Sequence, residues 1–428
     1  MLDGDLAIAG GVPVVQAGMV RPWPPVTDVD RAAVLKAMDA DGETEVNLTL
    51  ARDWAQYVGV RHCIPCNSGT AALHMAVAGV GVRPGEEVIC PAFTYWATAA
   101  AVLHHNAVPV FVDIERDTYC LDPHQIESAI SARTRAIMPV HIHGMPADMD
   151  AINRVAQRHG LAVIEDAAQA AGAAYRGRRT GALGTCAGFS LQATKNLTSG
   201  SQGGLFVTDD ETVFLRAQLL QYLGEIVVPG REQQTQQYNA YGLGWMYRGD
   251  KLGLAFARSQ MGRLDEYNAM RRSNASILDA GLRDIPGVRP APAAPDGRTE
   301  VRYEYVVQFC PEDLGLDVPP AQFLHAMQAA LKAEGVPNRR WQTMPVPSQH
   351  IFQTREGYGA GCPWTCHGSP VRYEQSYPIA EWFIARHAYI TGIAPPNGRE
   401  LMERYVEAFR KVLAQPADVL RAMRAQEA

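Results

Sequence analysis

Two short stretches of this chain could share one piece of chemistry. The first is an apolar run that ends in acid, Val163-Ile164-Glu165-Asp166-Ala167-Ala168-Gln169. The second, Phe189-Ser190-Leu191-Gln192-Ala193-Thr194-Lys195-Asn196-Leu197, carries a lysine in a loop of small residues. A lysine amine can condense with an aldehyde to form a Schiff base. An aspartate at a strand end can hold a pyridine nitrogen protonated, so that the ring accepts electrons from a carbanion. These are the two demands that pyridoxal phosphate (PLP) makes on a protein. Taken singly, each residue has a plainer reading: a loop lysine is solvated, and a strand-end aspartate caps a turn. The joint pattern points to a PLP enzyme with Lys195 and Asp166 as its catalytic residues.

Such a cofactor also needs an anion site. Asn67-Ser68-Gly69-Thr70-Ala71-Ala72-Leu73-His74 reads as a helix start. Ser68 suits the cap, Gly69 allows close backbone approach, and the free amides at the positive helix end attract a phosphate. Alone, the same residues would be a cap and nothing more. Ser190 could add a phosphate hydrogen bond. Gln169 comes within reach of the cofactor hydroxyl if the turn after Asp166 is helical. In Pro91-Ala92-Phe93-Thr94-Tyr95-Trp96-Ala97-Thr98 one aromatic could stack on the pyridine face, against the plainer reading of core packing.

The rest of the chain must position these groups. Its 428 residues suffice for two domains or one large two-lobed unit. Short apolar runs at 87–90, 108–113, 136–141, 161–164 and 204–208 alternate with helical patterns. That alternation predicts an α/β domain with a mostly parallel sheet. Ligands gather at the carboxyl ends of such strands, where Asp166 and His141 both lie. A long bridging helix is expected from 252 to about 280. A strand at 303–309 and helices at 321–334 and 399–413 then make a smaller α+β C-terminal domain. The expected division is 1–264 for the PLP-binding domain with its N-terminal segment, and 265–428 for the small domain.

Bulk properties remove other functions. Hydrophobic residues make up 47% and charged residues 20% of the chain, as in ordinary globular proteins. A formal net charge of -6 argues against nucleic acid or an anionic membrane surface as partner. No apolar run approaches the ~20 residues of a membrane span. The acidic start Met1-Leu2-Asp3-Gly4-Asp5 lacks the basic region of a signal peptide, so a cytoplasmic enzyme is expected. The eight cysteines do not suggest a disulfide scaffold. Cys63 with Cys66, and Cys362 with Cys366 and His367, could supply zinc ligands. Cys66, however, runs straight into the helix start, and no metal is expected.

These motifs together resemble the DegT/DnrJ/StrS family of PLP-dependent sugar aminotransferases. The stretches that carry the resemblance are 67–73, 165–170, 190–197 and Gly203-Gly204-Leu205-Phe206-Val207-Thr208-Asp209-Asp210, with Pro139 to Gly144 and Asp148-Met149-Asp150 beside them. The resemblance implies a type I aminotransferase fold and a homodimer with sites at the interface. It implies that Lys195 holds the cofactor and shuttles a proton, Asp166 pairs with the ring nitrogen, and Gln169 meets the ring hydroxyl. Tyr95, rather than Trp96, would stack on the ring, and Ser68, Gly69, Thr70 and Ser190 would bind phosphate. Glutamine or glutamate would donate the amine to a carbonyl acceptor. Leu6-Ala7-Ile8-Ala9-Gly10-Gly11-Val12-Pro13 resembles the start of the branch containing glutamine:scyllo-inosose aminotransferases and aminohydroxybenzoate synthases. An aminodehydratase of the latter type, and a PLP-fold regulator without turnover, are the alternatives. Two departures fall where an acceptor would bind. Met246 stands where the family has an asparagine, and 344–350 lacks the family histidine in register.

Overall fold

The computed structural model describes residues 6–40, 44–225 and 240–427. Seven short strands make the central sheet: β1 (His62–Cys66), β2 (Glu87–Pro91), β3 (Val108–Val112), β4 (Thr134–Ile137), β5 (Ala162–Asp166), β6 (Cys186–Ser190) and β7 (Gly204–Thr208). Their order is β1-β7-β6-β5-β4-β2-β3. Strands β3, β2, β4, β5 and β6 run parallel, while β7 is antiparallel to both of its neighbours. The strands are almost wholly buried, which is why they read as continuous apolar runs and not as alternating patterns.

Helices cover the sheet: α1 (Asp28–Asp39), α2 (Thr44–Val58), α3 (Gly69–Gly79), α4 (Ala97–His104), α5 (Met149–His159) and α6 (Glu211–Gln221). Helix α3 is apolar nearly all round because it is wedged between the sheet, α4 and α6. The exposed edge of β3 is blunted in two ways. Pro109 has no N–H to offer, and Tyr373 Oη and Gln375 Nε2 donate to the carbonyls of Pro109 and Phe111 (2.8 and 3.3 Å).

The long helix expected across 252–280 is two helices, α7 (Lys251–Met261) and α8 (Leu264–Leu282). Gly262 is a poor helix former, and Arg263 leaves helical geometry (φ -115°, ψ 3°) as its guanidinium forks onto the buried carboxylate of Asp30 (2.6 and 2.8 Å). A second, antiparallel sheet follows, built of β8 (Val288–Pro290), β9 (Tyr305–Phe309), β10 (Asn338–Arg339) and β11 (His387–Ile390) in the order β8-β9-β11-β10. Helices α9 (Pro320–Ala333) and α10 (Arg399–Leu413) lie where the sequence places them.

The core divides accordingly. One cluster fills the space around the seven-stranded sheet. A second joins α8, α9, α10, β9 and β11 and takes in Leu6 and Val15 from the N-terminal segment. Glu334 fastens that segment, accepting from the amides of Ala7 and Val14 and from Lys411 Nζ. Beyond it the chain crosses back towards the lysine loop. Among the described residues no helix is long and apolar enough to cross a membrane, and no group of His, Cys, Asp and Glu side chains is arranged to hold a metal ion. Cys362 and Cys366, weighed above as zinc ligands, are joined in a disulfide.

Candidate active site

Asp166 closes β5 with its side chain 4% exposed. Thr98 Oγ1, in the first turn of α4, donates to its Oδ2 (2.7 Å), and the Ala168 amide donates to Oδ1 (3.1 Å). Thr94 shares a 2.8 Å hydrogen bond with Thr98. Burial pushes the Asp166 carboxyl above the usual range. Thr98, Ala168 and the charge on Lys195 pull it part of the way back. A buried carboxyl in this state gains most from a cation placed beside it, which is what a protonated pyridine would be.

Lys195 sits in the loop between β6 and β7, half-buried, with Nζ 4.2 Å from the centroid of the Tyr303 ring. The loop is held from several sides. Trp23 Nε1 donates to the Lys195 carbonyl (3.1 Å). Thr194 and Tyr303 share a hydrogen bond through their hydroxyls (3.0 Å). Asn196 Nδ2 donates to Asn268 Oδ1 on α8 and to the Val301 carbonyl (2.8 and 3.1 Å). The backbone of the lysine is thereby fixed while its amine can move.

The start of α3 meets the end of β6 here. Ser68 caps the helix as expected, its Oγ accepting from the Ala71 amide (3.1 Å). The amides of Gly69 and Thr70 have no acceptor among the described residues. A Cβ on Gly69 would stand 2.8 Å from Ser190 Cβ, and one on Gly204 would stand 2.3 Å from the Ser68 carbonyl oxygen. Only glycine lets these backbones close into one concave cradle, with the Ser190 hydroxyl on its rim.

Gln169 is placed differently from the helical turn considered above. Residues 168–169 form a plain turn, and Gln169 Oε1 accepts from the His143 amide (2.6 Å), leaving Nε2 as its donor towards a ligand. His143 is buried, bonded through Nε2 to Tyr389 Oη (2.9 Å), and held neutral by burial. His141, also at a strand end, is not directed at a ligand. Its Nδ1 accepts from the Ala147 amide, so Nε2 carries the proton and donates to Glu165 (2.9 Å). Tyr95 is 61% exposed, beside Trp341 (centroids 6.2 Å), whereas Trp96 packs against Phe352 in the core.

The DegT/DnrJ/EryC1/StrS aminotransferase family matches residues 30–369. The chain belongs to that family. The L-glutamine:2-deoxy-scyllo-inosose aminotransferase of Streptomyces fradiae is 35% identical to it over 434 residues, covering 97% of this chain and 99% of that protein. Among solved structures, DesV of S. venezuelae superposes with a TM-score of 0.76 at 31% identity, over 90% of this chain and 94% of that one. DesI, solved in the presence of its TDP-sugar product, gives a TM-score of 0.81 at 26% identity, over 98% and 99%. The protein is a PLP-dependent aminotransferase of the type I fold.

The residues present fit that cofactor. The acceptor-free amides of Gly69 and Thr70 suit a phosphate, the raised carboxyl of Asp166 suits a ring nitrogen, and the Lys195 charge bears on that carboxyl. Sequence reasoning did not single out Thr98, Tyr303 or Trp23. A threonine four residues after Thr94 in the first turn of a helix was a faint signal for the first. A tryptophan between Pro22 and Pro24 was one for the last, but nothing local marked Tyr303. In the aminotransferase Met246 stands beside the start of α3. Its carbonyl accepts from Asn67 Nδ2 (3.3 Å), its thioether from Arg248 Nε (3.3 Å), and the side chain is 46% exposed beside Trp245.

Proposed function

We propose that this aminotransferase moves the amino group of glutamine, or secondarily glutamate, to the ketone carbon of a cyclitol in the assembly of an aminoglycoside-type natural product. The geometric observation behind the reading is the buried Asp166 carboxyl sharing its cleft with Lys195. The named activity of the S. fradiae relative, which this chain matches end to end, supports the donor and the acceptor class.

Bound PLP supplies an electron sink when a bond at the amine-bearing carbon breaks. The chain's own residues do the remaining work. Lys195 tethers the cofactor, and its amine, once released, carries the proton from the donor's α-carbon and later returns one to the acceptor carbon. Asp166, oriented by Thr98 and Ala168, keeps the ring nitrogen protonated. Gly69 and Thr70 amides and the Ser190 hydroxyl bind the phosphate, while Ser68 organises that helix start by capping it. Gln169 Nε2 donates to the ring hydroxyl, and the exposed Tyr95 ring covers one face. Exposed apolar side chains near the cleft, Leu243 at 94% and Trp245 at 50%, support a homodimer that completes the site at its interface. The division near residue 264 into a PLP-binding and a smaller domain belongs to the same reading.

The test is product analysis. Holoenzyme given glutamine and 2-deoxy-scyllo-inosose should yield an amine in place of the ketone with every other oxygen retained. Loss of water and appearance of an aromatic ring would favour the aminodehydratase instead. Turnover of 4-keto nucleotide sugars in preference to cyclitol ketones would overturn the acceptor class.

A further inference from the structure

Arg271, on α8, is 3% exposed, and no hydrogen bond or ion pair to its guanidinium forms among the described residues. A buried charge in that state is costly unless something pairs with it. Burial pulls its pKa down to about 10, even with the Glu304 carboxylate nearby. Glu304 acts on it only through space: its Oε1 accepts from Arg339, and no hydrogen bond joins it to Arg271. The Arg271 guanidinium lies over an indole: Cζ is 4.4 Å from the centroid of the Trp23 ring. That indole, braced on its edge by Tyr267 (5.5 Å), is the one whose Nε1 holds the Lys195 carbonyl. Arg271 is therefore one side chain away from the catalytic lysine. The two cations also share neighbours, since Lys195 lies over Tyr303 and both charges bear on Glu304.

An unpaired guanidinium one indole away from the lysine loop calls for an anion. The cofactor phosphate has its own cradle at α3 and β6, with no hydrogen bond or ring contact to Arg271 or Trp23. The cyclitol ketone carries no charge. The amino donor alone brings a carboxylate, on the carbon whose proton Lys195 removes. We propose that Arg271 binds the α-carboxylate of the amino donor through a fork of Nη donors, with its aromatic support, Trp23, tying that contact to the lysine loop. The charge count adds a preference. Arg339 is matched by Glu304, and Lys195 is committed to the cofactor. One unmatched cation then remains for a donor with a single carboxylate, glutamine, over one with two.

This rests on the reading of Lys195 as the cofactor-bearing residue, and the test separates the two. Holoenzyme is titrated without acceptor, following the visible absorbance of bound PLP, with glutamine and with 4-aminobutanamide, the same amine without its α-carboxylate. In Arg271→Gln the half-saturating glutamine concentration should rise about 10- to 100-fold, the range for losing a charged hydrogen bond, and the preference for glutamine over 4-aminobutanamide should collapse. Equal losses for both amines, or no loss for either, would overturn the assignment. Should Arg271→Gln not fold, wild-type holoenzyme answers alone. Glutaramate, which keeps a carboxylate, should compete with glutamine where the uncharged diamide glutaramide does not, and equal competition would refute a carboxylate site. A wild-type protein whose spectrum responds to no amine would instead fault the lysine reading itself.

Discussion

Two walls of the cleft are built in contrasting ways. The wall proposed to hold the cofactor is assembled from element ends: the start of α3, the end of β5, and the loop after β6. Each of its groups is presented by the few residues around it. Ser68 caps its own helix, Gly69 and Gly204 admit close backbones, and Asp166 is the last residue of its strand. The second wall draws on four separate parts of the chain, namely Trp23, Arg271, the Tyr303-Glu304 bend, and Arg339 with Trp341, which the tertiary fold brings together. Its order comes from ring contacts, such as Trp341 stacked on Tyr389 (5.7 Å, 11°), and from the ion pair of half-exposed Arg339 with buried Glu304. A local wall serves chemistry common to many substrates. A wall assembled from distant residues can change its specificity without touching that chemistry.

That contrast is open to breakage at several points, the strongest first. Lys195→Ala should abolish turnover with every donor, read by product formation at saturating substrates, because the amine that tethers the cofactor and carries the proton is gone. Asp166→Asn should keep the fold but lower the turnover number by about 10²–10³-fold, as for loss of a preorganised charge at a site of developing charge. Near-normal turnover would remove Asp166 from the cofactor wall. Gly69→Ala should force Ser190 away from α3 and weaken PLP binding roughly tenfold, in line with the 1–3 kcal/mol of overpacking. Its half-saturating glutamine concentration, measured at saturating PLP, should not move. If it does, the two walls are not separable.

Acidity sharpens the same division. Burial raises the Asp166 carboxyl, so in cofactor-free protein it takes up its proton at a higher pH than an ordinary carboxyl. The carboxylate is the form that binds a protonated ring nitrogen. PLP affinity should therefore be full above that raised pKa and fall as pH drops through it, and Asp166→Asn should flatten the profile. The smallest expected effect is Trp23→Phe. It keeps a ring beneath Arg271 but loses the single hydrogen bond to the Lys195 carbonyl, at about 0.5–1.5 kcal/mol. Thermal unfolding of the holoenzyme should show it as a small drop in Tm.

The cofactor wall was legible in the sequence for the reason that makes it local. Lys195, Asp166, Ser68, Gly69 and Ser190 each sit where a cap, a strand end or a small-residue loop announces them; in the structure the Gly69 backbone closes on Ser190, and the Lys195 charge bears on Asp166. Helix α10 and the parallel core strands were legible through periodicity and apolar runs. The break between α7 and α8 was not, because it depends on Arg263 reaching Asp30 across more than two hundred residues. Gln169 was legible only on the condition that its turn is helical; the turn is plain, and its side-chain oxygen is claimed by the His143 amide, a contact between separate loops. The pairing of Cys362 with Cys366 is likewise a matter of how one loop folds back. Arg271 carries no local signal at all, since a helical arginine reads as a solvated face until tertiary packing buries it.

The most direct measurement is the absorbance spectrum of purified protein reconstituted with PLP, recorded before and after glutamine is added without acceptor, alongside Lys195→Ala. The account predicts a visible band in the wild type that glutamine abolishes, and that Lys195→Ala lacks or retains unresponsive to glutamine. A wild-type band that neither glutamine nor glutamate alters, or a Lys195→Ala protein that responds like wild type, would contradict it.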